Sequence, residues 1–235
     1  MKGSLHFTLS LLSLLITTLP LLASISLSIW AIVYTGVLIG SLAPDVDAPD
    51  AAIFHLTGIP WGLRTLLALF GYLLRYLVYL PLSSFFWLAL GRNYRHEHRG
   101  LLHTPLGITL ASLLLIFYAG ILSLVFFHSF VLEVLLWGGC FWGGCLLHLV
   151  QDSCTPAGIA WSFPLSVRRL RGGLRTGDMH DPRPLLFVSI LGGSLFLLIL
   201  LPAHLLFPSW LLALFLIICV WLLFLLLSRL KYRPS

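Results

Sequence analysis

Seven side chains of this 235-residue chain have the functional groups of a divalent-metal centre, and they fall in four short groups. These are His6; Asp45 and Asp47 in "PDVD"; His98 and His103 in "HEHRGLLHTP"; and His148 and Asp152 in "HLVQDSCTPAG". Imidazole nitrogen and carboxylate oxygen together suit zinc, manganese or iron. His148 and Asp152 are four residues apart, so on a helix they share a face and can hold one ion. Asp45 and Asp47 follow Pro44 two apart and point differently, so one of them can bridge two ions. His98 and His103 lie in the turn before Thr104-Pro105, where the chain can bring both inward. Seven ligands exceed what one tetrahedral site needs, and a pair of ions spaced for in-line displacement at phosphorus would use them.

Each residue alone has a plainer reading. His6 is then an interfacial histidine, and Asp45 a turn residue after a helix end. His148 hydrogen-bonds a neighbouring helix, and Asp152 pairs with Arg99 or caps the Thr155-Pro156 turn. The set favours a metal site, because the plain reading must be invoked several times and must also explain why all seven reach one face. Arg99, next to His98, has two readings: a cation stabilising charge on a phosphoryl or acyl oxygen, or one more topology-setting arginine.

The elements that must position these residues are apolar. Hydrophobic residues make up 59% of the chain, charged residues 9%, and the mean hydropathy is +1.02. Soluble domains are about 25% charged. Several runs approach or exceed the roughly 18 apolar residues that mark a spanning helix, and none alternates as a membrane β-barrel strand would. The expectation is an all-α, polytopic transmembrane helical bundle. It is one membrane-embedded domain over 1–235, with about six spanning helices and an interfacial amphipathic helix. A motif-bearing core covers 5–165 and a C-terminal helical hairpin 185–229. The four cysteines form no C-x-x-C pair and read as small core residues. A cleavable signal peptide at the N-terminus is disfavoured because a second apolar run follows at once.

Ser4 is expected to cap a first helix from Leu5 to Leu19, ended by Pro20. A second runs from Leu21 to Leu42, stopping before Pro44. Thr104 and Pro105 read as N-cap and first helical position of a helix to Phe127. A fourth covers 130–152, and the last two cover 185–203 and 209–228. Segment 62–90 contains Arg64, Arg75 and Pro81, with Tyr72, Arg75, Tyr76 and Tyr79 on one face. It reads as an interfacial helix or a shallow re-entrant hairpin. Gly36 and Gly40, and the pairs in "GGCFWGG", read as tight helix packing.

Folding these helices as hairpins returns all seven candidate ligands to one end, provided 62–90 crosses an even number of times or not at all. All 14 Lys and Arg fall at that same end. The net charge of +6 and pI of 9.5 therefore report topology and not nucleic-acid binding. The motif end and both termini are expected in the cytoplasm. The loop "SVRRLRGGLRTGDMHDPRP" either meets anionic headgroups or holds the topology. Asp178, His180 and Asp181 within it read as solvated loop residues.

On these residues the chain resembles the YdjM-type family of membrane-bound metal-dependent hydrolases. The matching elements are the early His6, "PDVD", "HRGLLHT" and "HLVQDSCTPAG", in order over about 5–165. The resemblance implies a helical fold distantly like bacterial zinc-dependent phospholipase C, with hydrolysis assisted by bound metal. By position, the implied ligands are His6, Asp45, Asp47, His98, His103, His148 and Asp152. Three departures are Ala48, where the family often has histidine, Thr104 in place of serine, and a 62–90 segment longer than the family leads one to expect.

The expected function is a hydrolase of the cell inner membrane. Its active site faces the cytoplasm and uses a divalent ion, zinc or manganese, or two ions. Its partners are membrane lipids and a small-molecule or lipid substrate, a phosphoester first, with no nucleic acid. The rivals are a divalent-metal transporter or sensor, and a structural membrane protein whose polar cluster is a hydrogen-bond network. Transporters place sites near the bilayer midplane, whereas these residues cluster at helix ends.

Overall fold

The computed structural model describes residues 3–55, 58, 60–91, 100–128, 132–176, 178, 180–200 and 209–233. The helices are α1 Gly3–Thr18, α2 Leu27–Gly40, α3 Ala52–His55, α4 Trp61–Leu73, α5 Leu80–Leu90, α6 Pro105–Phe127, α7 Leu132–Ser153, α8 Arg183–Leu200 and α9 Ser209–Ser228. Two short strands, β1 Arg169–Arg171 and β2 Lys231–Arg233, pair antiparallel. Six helical stretches are long and apolar enough to cross a membrane, so the architecture is an all-α polytopic bundle.

The membership of the six differs from the expected one at two places. The expected helix over 21–42 is replaced by α2, whose 14 residues span about 21 Å at 1.5 Å per residue. Pro20 tightens the end of α1 into a 3-10 turn, Leu19–Leu21. The chain becomes helical again only after Ser26, whose hydroxyl accepts the Ile29 N–H. Ser4 lies inside α1 and not at its cap.

Segment 62–90 is the second difference. It is one unbroken 30-residue helical stretch, Trp61–Leu90, long and apolar enough to span, and not a hairpin. A π-helical stretch, Leu74–Tyr79, joins α4 to α5. Pro81 has no N–H to offer the Leu77 carbonyl four residues earlier, and the Tyr118 hydroxyl donates to that carbonyl at 3.2 Å. The helix continues past its proline because a neighbour supplies the hydrogen bond. The connection from Asp45 to His103, which contains this helix, starts and ends at the same end of the bundle, since those two side chains touch.

Glycine sets the closest helix pair. A Cβ on Gly40 would collide with the Phe141 carbonyl, and one on Gly144 with the Val37 carbonyl. Backbones of α2 and α7 therefore meet directly, which is close-packing by small residues. One apolar cluster joins Leu42 and Val46 to Leu74, Val78, Ile108 and Phe141. A second joins Leu9 and Ile16 of α1 to Phe187 and Leu191 of α8 and Phe224 of α9. The C-terminal hairpin thus packs on the helix that carries His6.

The basic loop is tied down at its base. Arg183 donates from Nε to Asp181 Oδ1 and from Nη2 to Asp181 Oδ2, both at 2.7 Å, and from Nη2 to the Gly173 carbonyl at 2.6 Å. The Gly173 N–H donates to the Ser228 carbonyl at 2.7 Å. The Arg183 hydrogen bonds hold the Asp181 carboxyl well below the usual carboxylate range.

Candidate metal centre

Each candidate ligand is placed by a local device. His6 sits in the first turn of α1 and is fully buried. Asp45 lies in the 3-10 turn Ala43–Asp47 that ends the α2 hairpin arm. His103 closes a short 3-10 turn, Leu101–His103, just before the cap of α6. That cap is Thr104, whose hydroxyl accepts the Gly107 N–H at 3.0 Å and donates to the Leu101 carbonyl at 2.7 Å. Both bonds hold the turn that carries His103. His148 and Asp152 sit one turn apart near the end of α7, fully buried.

These five side chains converge. His103 Nε2 is 3.1 Å from Asp45 Oδ1 and 3.8 Å from Asp152 Oδ2. His148 Nε2 is 3.6 Å from Asp45 Oδ1 and 3.8 Å from Asp152 Oδ2. His6 Nε2 is 3.3 Å from Asp152 Oδ1. Two overlapping ligand groups result, His6/His148/Asp152 and Asp45/His103/His148, each with its donor atoms within 4.8 Å of one another. His148 belongs to both. Asp47, at the end of the Asp45 turn, belongs to neither group. His98 and Arg99 lie outside the described residues.

The hydrogen bonds behind two of the imidazoles set their tautomers. His148 Nδ1 is 2.8 Å from the Ser41 carbonyl, which can only accept. Nδ1 therefore carries the proton, and in the neutral ring Nε2 is a lone pair. Gln151 Nε2 donates to Ser10 Oγ, so its Oε1 faces His6 Nδ1 at 2.6 Å and accepts from it. His6 Nε2 is thus also a lone pair. Neither Nε2 has a hydrogen-bond partner among the described residues, and both face carboxylate oxygens.

That arrangement could hold a divalent ion. Two imidazole lone pairs and two carboxylates repel one another when buried together, and each buried charge costs several kcal/mol unless compensated. A divalent ion among them converts the repulsion into coordination, and the donor set fits zinc or manganese. Carbonyl or amide partners behind metal-binding histidines are the usual supporting contacts.

Sequence reasoning missed Gln151, Ser10 and the Ser41 carbonyl. Gln151 carried a usable signal, an amide beside Asp152 in an otherwise apolar helix. The Ser41 carbonyl had none, because every residue has one. Other candidates lie apart from the centre. Asp181 is engaged by Arg183, Asp178 accepts the His180 N–H, and His55 faces the Pro49 carbonyl. All four cysteines are free.

The family model described as YdjM inner membrane protein matches residues 1–233. The chain belongs to that family. No curated protein matches it. No solved structure matches it either.

Proposed function

We propose that this YdjM-family membrane protein is a metal-dependent hydrolase of the inner membrane, with its site at the cytoplasmic end of the bundle. One observation carries the reading. The protons on His6 and His148 Nδ1 are committed to Gln151 and Ser41, which leaves two buried Nε2 lone pairs facing Asp45 and Asp152. His148 Nε2 has one lone pair and would bind one ion, together with His6 and Asp152 or with Asp45 and His103. A divalent ion supplies Lewis acidity and lowers the pKa of a bound water towards neutrality.

The chain's own groups account for the rest. The stacked and hydrogen-bonded imidazoles keep their geometry without solvent, so the site is preorganised. Arg99, four residues before His103, is proposed to balance negative charge on the substrate. The cytoplasmic orientation rests on the Lys and Arg bias towards the motif end. Ligands at helix ends lie at headgroup depth, which favours an anionic, phosphoester or lipid-like substrate.

Metal content of purified protein, measured by elemental mass spectrometry, tests this together with hydrolysis of a phosphoester and phospholipid panel. Stoichiometric metal lost in His148→Ala/Asp152→Ala, with hydrolysis lost in parallel, is expected. Metal without hydrolysis of any ester would favour a sensor or transporter. No metal after reconstitution with each ion would leave the cluster a hydrogen-bond network.

A further inference from the structure

The loop after α7 and the tail after α9 are joined in a register that brings like charges together. Arg169 pairs with Arg233, and Arg171 with Lys231. Cross-strand partners lie on one face of a ribbon, so Arg169, Arg171 and Lys231 share a face, with Leu170 and Tyr232 on the other. Like charges directly opposite one another destabilise a strand pair. Among residues 154–183 and 229–235 there are eight Lys and Arg but only two Asp, and Asp181 is taken by Arg183. The ribbon is nevertheless formed and fastened. Gly172 N–H donates to the Thr155 carbonyl and Leu174 N–H to the Cys154 carbonyl, both at 3.0 Å.

Its position identifies what meets it. β2 begins three residues after the last residue of α9, a helix apolar enough to span, and β1 is fastened just beyond the end of α7, another. The ribbon therefore lies at the boundary between membrane and water. Just before β1 the chain carries exposed apolar side chains, Leu165 at 94% and Val167 at 59%, and the exposed Tyr232 lies on the other face of the ribbon. A cationic face on a short ribbon with exposed apolar and aromatic side chains in the same segment matches the chemistry of an anionic lipid interface.

We infer that the β1–β2 ribbon is a binding site for anionic phospholipid headgroups, whose phosphate lies against the face bearing Arg171 and Lys231. The site stands apart from the metal centre and does not depend on the hydrolase reading. The lipid neutralises the like-charge register, so the ribbon is most stable when the headgroup is bound.

The full-length protein is reconstituted in bilayers of equal parts phosphatidylglycerol and phosphatidylethanolamine, released, and its retained lipid counted by native mass spectrometry. Wild type should retain phosphatidylglycerol preferentially. Lys231→Gln should lower that preference about five-fold, from about 1 kcal/mol per basic residue at an anionic surface. Arg171→Glu separates binding from folding: it places an opposite charge across from Lys231, so the ribbon keeps its pairing while phosphatidylglycerol retention falls further. Arg64→Gln, on α4, should leave retention unchanged. Equal retention of the two lipids by wild type, retention unchanged in Arg171→Glu, or an equal loss in Arg64→Gln would overturn the assignment. So would complete displacement of the lipid by millimolar inorganic phosphate.

Discussion

The rings of His6 and His148 stack face to face, with centroids 3.9 Å apart and planes 15° from parallel. The two histidines come from opposite ends of the motif-bearing region, yet each directs Nε2 towards Asp152. His148 also meets His103 edge-on, with centroids 5.3 Å apart. His148 is therefore the shared member of both ligand groups, and the variants should differ accordingly.

His148→Ala is expected to lower bound metal more than either His6→Ala or His103→Ala, because each of the latter leaves one ligand group intact. Elemental mass spectrometry of the three proteins, each checked for monodispersity, measures this. Equal losses in all three would mean that His6 and His103 bind the same ion together with His148.

Gln151 positions His6 and is not itself a ligand in either group. Gln151→Leu removes the acceptor for the Nδ1 proton and frees the ring to change tautomer. Loss of such a supporting contact commonly lowers metal affinity about 10- to 100-fold. Gln151→Glu keeps an acceptor oxygen at that position and should restore most of the affinity. Competition against a chromophoric chelator reads both, and equal effects of the two substitutions would contradict the positioning role.

The glycine contacts between α2 and α7 hold the Ser41 carbonyl against His148. Gly40→Ala or Gly144→Ala should force the two backbones apart, at about 1–3 kcal/mol for overpacking, and should weaken metal binding too. Gly139→Ala is the control. It lies on the same helix with open space beyond it, and exchanging glycine for alanine in a helix is worth up to about 1 kcal/mol. Thermal unfolding in detergent should show the first two below wild type and the third at or above it.

Asp181 gives a pH dependence whose sign is set by its pKa. Its folded-state value is lowered, first by the Arg183 hydrogen bonds. The tether is therefore fully present above the ordinary carboxylate value of about 3.9, and it is lost as pH falls through the lower folded value. Amide exchange at Arg175, whose N–H donates to Asp181 Oδ2 at 2.8 Å, should be protected at neutral pH and deprotected on strong acidification. In Asp181→Asn the protection should already be reduced at neutral pH.

The parts of this protein that were legible in its residues are those governed by near neighbours. Apolar runs of spanning length form helices at most places they occur, the run over 21–42 being the exception, and the Thr104-Pro105 start of α6 and its end at Phe127 fall where they were expected. The spacing of His148 and Asp152 puts them on one face by helical geometry alone. Other features depended on competition between local signals and tertiary contacts. Pro81 marks a break by itself, and the helix runs through with a π-helical stretch before it and the Tyr118 hydroxyl on the Leu77 carbonyl, a contact between residues 41 apart. Asp45 and Asp47 are equivalent in sequence, and the direction of a 3-10 turn separates them. The pairing of His6 with Gln151 spans 145 residues, and the arginine-rich ribbon joins a loop to the tail by a register that like charges oppose. Neither contact has a periodicity to reveal it, because both are decided by how the helices pack and which backbone groups that packing leaves facing one another.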